Sequence, residues 1–104
     1  METVYKENLI LATVLSEKEQ IVKVVGVGNS MTPILKSKQA VMVSSFSADL
    51  DNIQNGDIVF CKVNGHFYLH KVYGKKDKQY LIGNNHGRIN GWTSKIYGKV
   101  VKIL

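Results

Sequence analysis

Two runs rich in β-branched and aromatic residues, 58–63 and 66–73, are separated by only Asn64 and Gly65. An Asn-Gly pair adopts the positive φ values of a type I′ turn, and that turn matches the twist of antiparallel strands. The pair commits the middle of the chain to a β-hairpin. Similar short runs recur at 21–27, 40–44, 79–82 and 97–104. Gly56-Asp57 launches the 58–63 run and 74–78 reads as another turn, while 45–55 and 83–92 read as loops. Residues 4–15 break this pattern. Val4, Leu11 and Leu15, with Tyr5, Leu9 and Ala12, fall on one broad apolar side of a short helix. Ser16 and the polar stretch to Gln20 close it. The expected fold is mostly β: a coiled antiparallel sheet or small barrel with one short N-terminal helix.

A chain of 104 residues has room for one core and one domain, with 1–19 as the helical segment and 20–104 as the β part. The single cysteine, Cys61, lies inside an apolar run and reads as a core-facing free thiol, which fits a reducing, cytoplasmic setting. Met1 is followed by Glu2 with no basic stretch, so no secretory signal is expected. The apolar run 9–15 is far shorter than the roughly 20 residues that span a bilayer, so membrane insertion is not expected.

The net charge of +6 is uneven: residues 1–61 carry −2 and residues 62–104 carry +8. The basic residues are dispersed over strands and turns, and only 75–78 cluster. Aromatic side chains do not interleave with them as a stacking platform would require. A solvated basic face is expected, without a specific nucleic-acid partner.

Chemistry concentrates at two places. In Gly28-Asn29-Ser30-Met31-Thr32-Pro33 a small serine follows an apolar run, with Gly28 permitting close backbone approach and Pro33 fixing the turn. Ser30 reads either as the cap of a short helical turn or as an uncrowded nucleophile. His70 lies in the second strand of the hairpin, where alternation puts it on one face with His66 and Tyr68, opposite Phe67, Leu69, Lys71 and Tyr73. It reads either as a structural histidine or as the base that takes the serine proton near neutral pH. His66 and His86 have no ligand cluster around them, so neither a metal nor an organic cofactor is expected.

These residues resemble the superfamily of type I signal peptidases and self-cleaving LexA-type repressors. The 28–33 segment matches its nucleophile box, Gly-x-Ser-Met-x-Pro. Gly56-Asp57-Ile58-Val59 matches its Gly-Asp-Ile-Val strand start, and Leu69-His70-Lys71-Val72 matches the general-base strand. Gly83-Asn84-Asn85, Asn90-Gly91-Trp92 and Tyr97-Gly98-Lys99-Val100 fall where later boxes occur, so the similarity spans about residues 20–104. Histidine at position 70, in place of lysine, is similar to the endoplasmic-reticulum-type branch. Two features depart from the superfamily's pattern: no hydrophobic anchor precedes the serine box, so a membrane signal peptidase is not expected, and the length leaves no room for the DNA-binding domain of a LexA-like repressor.

The resemblance implies a serine peptidase with Ser30 as nucleophile and His70 as base. Backbone groups of Gly28, Asn29 and Ser30 would hold the oxyanion, and Met31 and Pro33 are groove candidates. The substrate would be a peptide or protein bound as an extended strand. Where the branch has aspartate this chain has amides, leaving Asn84 and Asn90 as candidates to orient the imidazole. In a serine triad, Asp→Asn costs about 10⁴-fold in kcat. The alternative is a non-catalytic peptidase fold serving as a structural or peptide-binding module among protein partners in an assembly.

Overall fold

A computed structural model describes residues 5–25 and 30–104. Helix α1 (Tyr5–Glu17) is followed by β1 (Ile21–Val25), β2 (Ala40–Ser44), a single turn α2 (Ser47–Leu50), β3 (Ile58–Val63), β4 (His66–Lys76), β5 (Gln79–Gly83), β6 (Ile89–Thr93) and β7 (Ile96–Ile103). The seven strands form one antiparallel sheet in the order β1-β2-β7-β3-β4-β5-β6. The sheet coils on itself, and the turn after β6 returns to β3. Thr93 Oγ1 donates to the Lys62 carbonyl at 2.6 Å, and Lys62 N donates to the Lys95 carbonyl at 3.0 Å.

β3 explains why the sheet has two cores. Ile58 and Phe60 face a cluster containing Ala12, Leu15, Met31, Leu35, Val41, Val43, Phe67 and Leu69, whereas Val59, Cys61 and Val63 face a second cluster with Ile53, Val72 and Ile82. A strand buried on both faces needs a continuous apolar run, and 58–63 is nearly that. In the first cluster Phe60 stacks on Phe67 with ring centroids 5.8 Å apart, and Tyr97 tilts against both.

The elements depart from expectation in four places. α1 runs through Ser16 to Glu17, and the Ser16 hydroxyl satisfies itself within the helix by donating to the Ala12 carbonyl one turn back, at 2.7 Å. Its buried stripe is Asn8, Ala12 and Leu15 with Leu11 alongside, so Leu9, expected on the apolar side, is exposed. Val4 lies outside the described residues. A turn was expected at 74–78, yet β4 continues to Lys76 because the register slips between Val72 and Gly74 and the ladder then resumes. The expected loops also hold structure: α2 lies within 45–55, and β6 begins at Ile89 inside 83–92.

Asp57 serves this framework. Its Oδ2 accepts the Gln54 N–H at 2.8 Å and pairs with Lys99 Nζ at 3.2 Å, holding the start of β3 against β7. Among the described residues, no helix is long and apolar enough to cross a membrane.

Candidate functional site

β4 delivers His70 by alternation. Phe67 and Leu69 enter the first core, so Tyr68 and His70 project from the opposite side of the strand. His70 is only 3% exposed. Its ring stacks on Tyr68 at a centroid distance of 4.7 Å. A buried imidazole needs polar partners on its nitrogens, and it has them: Nε2 lies 3.0 Å from Ser30 Oγ, and Nδ1 lies 2.7 Å from Asn90 Oδ1. An amide oxygen can only accept, so in the neutral imidazole Nδ1 carries the proton and Nε2 presents its lone pair to the Ser30 hydroxyl. That is the tautomer a base needs in order to draw a proton from serine.

Asn90 reaches the ring because the β5–β6 ladder is irregular. Ile82 pairs with Gly91 and Gly83 with Ile89, leaving Asn90 as the extra residue of a bulge. Bulges re-aim a side chain, and Gly91, with φ at +139°, accepts the backbone that follows. A Cβ on Gly91 would sit 3.2 Å from both Asn64 Nδ2 and Val63 Cγ1. Asn64 Nδ2 also donates to the Asn90 backbone carbonyl at 3.3 Å.

Asn84, the other candidate orienter, is not on the ring. Its Oδ1 accepts the backbone N–H groups of His86 and Arg88 at 2.8 and 3.0 Å, so it shapes its own loop. The Tyr73 hydroxyl donates to the Asn84 backbone carbonyl from below.

The loop so formed holds the serine segment. Asn85 N–H donates to the Ser30 carbonyl at 2.8 Å, and Asn85 Nδ2 donates to the Thr32 carbonyl at 2.9 Å. Thr32 Oγ1 and His86 Nε2 share a further hydrogen bond at 3.2 Å. Sequence reasoning gave Asn85 no role, although it sits in the Gly-Asn-Asn box. Its backbone N–H and side-chain amide together clamp the carbonyls of Ser30 and Thr32.

A cleft of about 350 Å³ opens over these groups, lined by Ser30, Tyr68, His70, Asn84, Arg88 and Asn90. Met31 was a groove candidate, but it is 1% exposed and belongs to the first core, so it underpins the serine from beneath. Pro33 is exposed. Gly28 and Asn29 lie outside the described residues. Among the described residues no cluster of three or more His, Cys, Asp or Glu could hold a metal ion.

No curated protein matches the chain. A family model described as Peptidase S24-like does match, over residues 2–101, in keeping with the resemblance to LexA-type and signal-peptidase-type serine peptidases. With almost every residue inside that match, this chain belongs to the Peptidase S24-like family.

Proposed function

We propose that this protein is a serine peptidase-like protein that cleaves a peptide bond with Ser30 and His70, attenuated by asparagine where a carboxylate would stabilise the imidazolium. The observation that carries the reading is the continuous line Ser30 Oγ–His70 Nε2 at 3.0 Å and His70 Nδ1–Asn90 Oδ1 at 2.7 Å. Ser30 attacks the scissile carbonyl as His70 takes its proton, and the imidazolium then protonates the leaving amine. Asn90 holds the ring in the productive tautomer but offers a dipole where an aspartate offers a charge. Backbone N–H groups of residues 28–30 would receive the oxyanion. The substrate is an extended peptide, entering as a strand along the cleft. Histidine as the base favours the endoplasmic-reticulum-type branch, and the buried free thiol favours a reducing, cytoplasmic setting.

The amide at position 90 also supports a second reading, a non-catalytic module that binds a peptide or a protein partner in the same cleft. A serine-directed active-site probe and peptide cleavage separate the two. Asn90→Asp is expected to raise both signals, by up to about 10⁴-fold if it reverses the full cost of such an amide. Ser30→Ala in that background abolishes them. Asn84→Asp gives no gain, because its side chain is committed to the loop. Absence of labelling and cleavage in a folded Asn90→Asp protein sinks the peptidase reading and leaves the module.

A further inference from the structure

The chain contains three Asn-Gly pairs, at 55–56, 64–65 and 90–91. In such a pair the glycine has no side chain to hinder its backbone nitrogen from reaching the asparagine side chain. We propose that Asn90-Gly91 is a self-modification site, activated by His70, at which deamidation of Asn90 to aspartate supplies the missing carboxylate. The inference rests on the peptidase reading for its consequence, but not for the modification itself.

Four features meet at this pair. β6 is an edge strand of the sheet, so its backbone is paired on one side. The register skips Asn90 while its neighbours Ile89 and Gly91 pair with Gly83 and Ile82, so Asn90 itself is the residue released from the regular ladder. Gly91 cannot be exchanged cheaply for a larger residue, because a Cβ there would crowd Asn64 and Val63. Most important, Nδ1–H of His70 donates to Asn90 Oδ1 at 2.7 Å, which draws electron density from Cγ and makes it the better electrophile.

The step balances without any external oxidant or cofactor. The Gly91 backbone nitrogen forms a bond to Asn90 Cγ, the bond from Cγ to the side-chain nitrogen breaks, and that nitrogen leaves as ammonia with the displaced backbone proton. Water then opens the five-membered imide. Opening at Cγ restores the ordinary backbone and gives aspartate, whereas opening at the backbone carbonyl gives isoaspartate. The two carbonyls are unequal here. His70 polarises the first at 2.7 Å, and Asn64 Nδ2 polarises the second more weakly at 3.3 Å. Aspartate is therefore the main product, with its carboxylate beside Nδ1, where it stabilises the imidazolium formed during serine attack.

The test is to age the full-length folded protein at 37 °C and mildly alkaline pH, then digest it and follow all three Asn-Gly peptides by mass spectrometry. Chromatographic standards distinguish aspartate from isoaspartate. The Asn90 peptide is expected to convert, chiefly to aspartate. His70→Gln should slow that conversion about tenfold, the worth of one hydrogen bond, while Asn55 and Asn64 convert at unchanged rates. Cleavage or probe labelling of the native chain should rise with the converted fraction towards the level of Asn90→Asp. An intact Asn90 amide while Asn55 or Asn64 converts overturns the proposal. So does conversion mainly to isoaspartate, or equal Asn90 rates in native and His70→Gln proteins. Conversion to aspartate with no activity in either aged or Asn90→Asp protein upholds the modification site and overturns the peptidase reading instead.

Discussion

Phe67 and Leu69 point from β4 into the layer beneath α1, whereas Tyr68 and His70, their neighbours in sequence, point into the cleft that holds Ser30. The first side is a packed apolar core, filled by rings and aliphatic chains from β3, β4, β7 and the helix. The second side also starts as a core, with Val59, Cys61 and Val72, but at His70 it opens and polar groups take over. One strand thus anchors a hydrophobic layer with alternate residues and aims an imidazole with the others. Precise placement of the ring is inherited from the packing on the far side, because the backbone that carries it cannot shift without disturbing Leu69.

The sharpest way to break this comparison is to mutate adjacent residues. His70→Gln is expected to lower the activity of the Asn90→Asp protein by about 10³-fold or more, with a much smaller effect on stability. Leu69→Ala should fall mainly on stability, with a smaller loss of activity from the loosened ring. It removes a buried side chain from the first core and should cost about 2–5 kcal/mol of stability, read from urea unfolding. Similar stability losses from both substitutions would show that the two sides of β4 are not separated as described.

A smaller effect is expected at Asn85, which joins the cleft loop to the serine segment. Asn85→Ala removes the hydrogen bond to the Thr32 carbonyl and should cost about 1 kcal/mol of stability. Its kinetic signature is the more telling one. In the Asn90→Asp background kcat should fall while KM stays near its starting value, since the clamp positions the attacking oxygen and contacts no substrate. A change confined to KM would place Asn85 in substrate binding.

Much of this could be read in the sequence, for reasons that lie in particular residues. The Asn64-Gly65 turn and the alternation after it fix the hairpin, its register and the face that carries His70. The continuous run 58–63 signals the strand buried on both sides. The choice between Asn84 and Asn90 could not be read, because both sit in polar, glycine-containing stretches with the same local chemistry. It depends on a bulge opposite Ile82 and Gly83, and so on how two strands register. Burial of Met31 was hidden for a related reason. The segment after Ser30 turns back on itself, with Leu35 N–H donating to the Met31 carbonyl at 2.8 Å, and neither strand nor helix periodicity describes it.

An effect confined to pH values far above neutrality concerns a buried thiol on the cleft side of the sheet. Cys61 lies opposite Tyr68 on β3, and its thiol donates to the Tyr68 carbonyl at 3.7 Å. His70 has polar partners on both nitrogens and a cleft above it, whereas Cys61 is sealed among Val59, Val63, Val72 and Ile82. Burial pushes its thiol up from 9.0 to about 12. The folded chain therefore keeps the proton in a range where the unfolded chain releases it. Below about pH 9 both states are protonated and the thiol's contribution is fully present. Between about pH 9 and 12 that contribution is lost, with a slope of at most about 1.4 kcal/mol per pH unit from this group. Urea unfolding across that range should show the decline, and Cys61→Ala should flatten it while changing little at neutral pH beyond a small packing loss. The folded protein should also resist alkylation at mildly alkaline pH. Rapid alkylation of Cys61 without unfolding would mean that water reaches the second core, and that the boundary between packed and chemical parts of this face lies deeper than Tyr68.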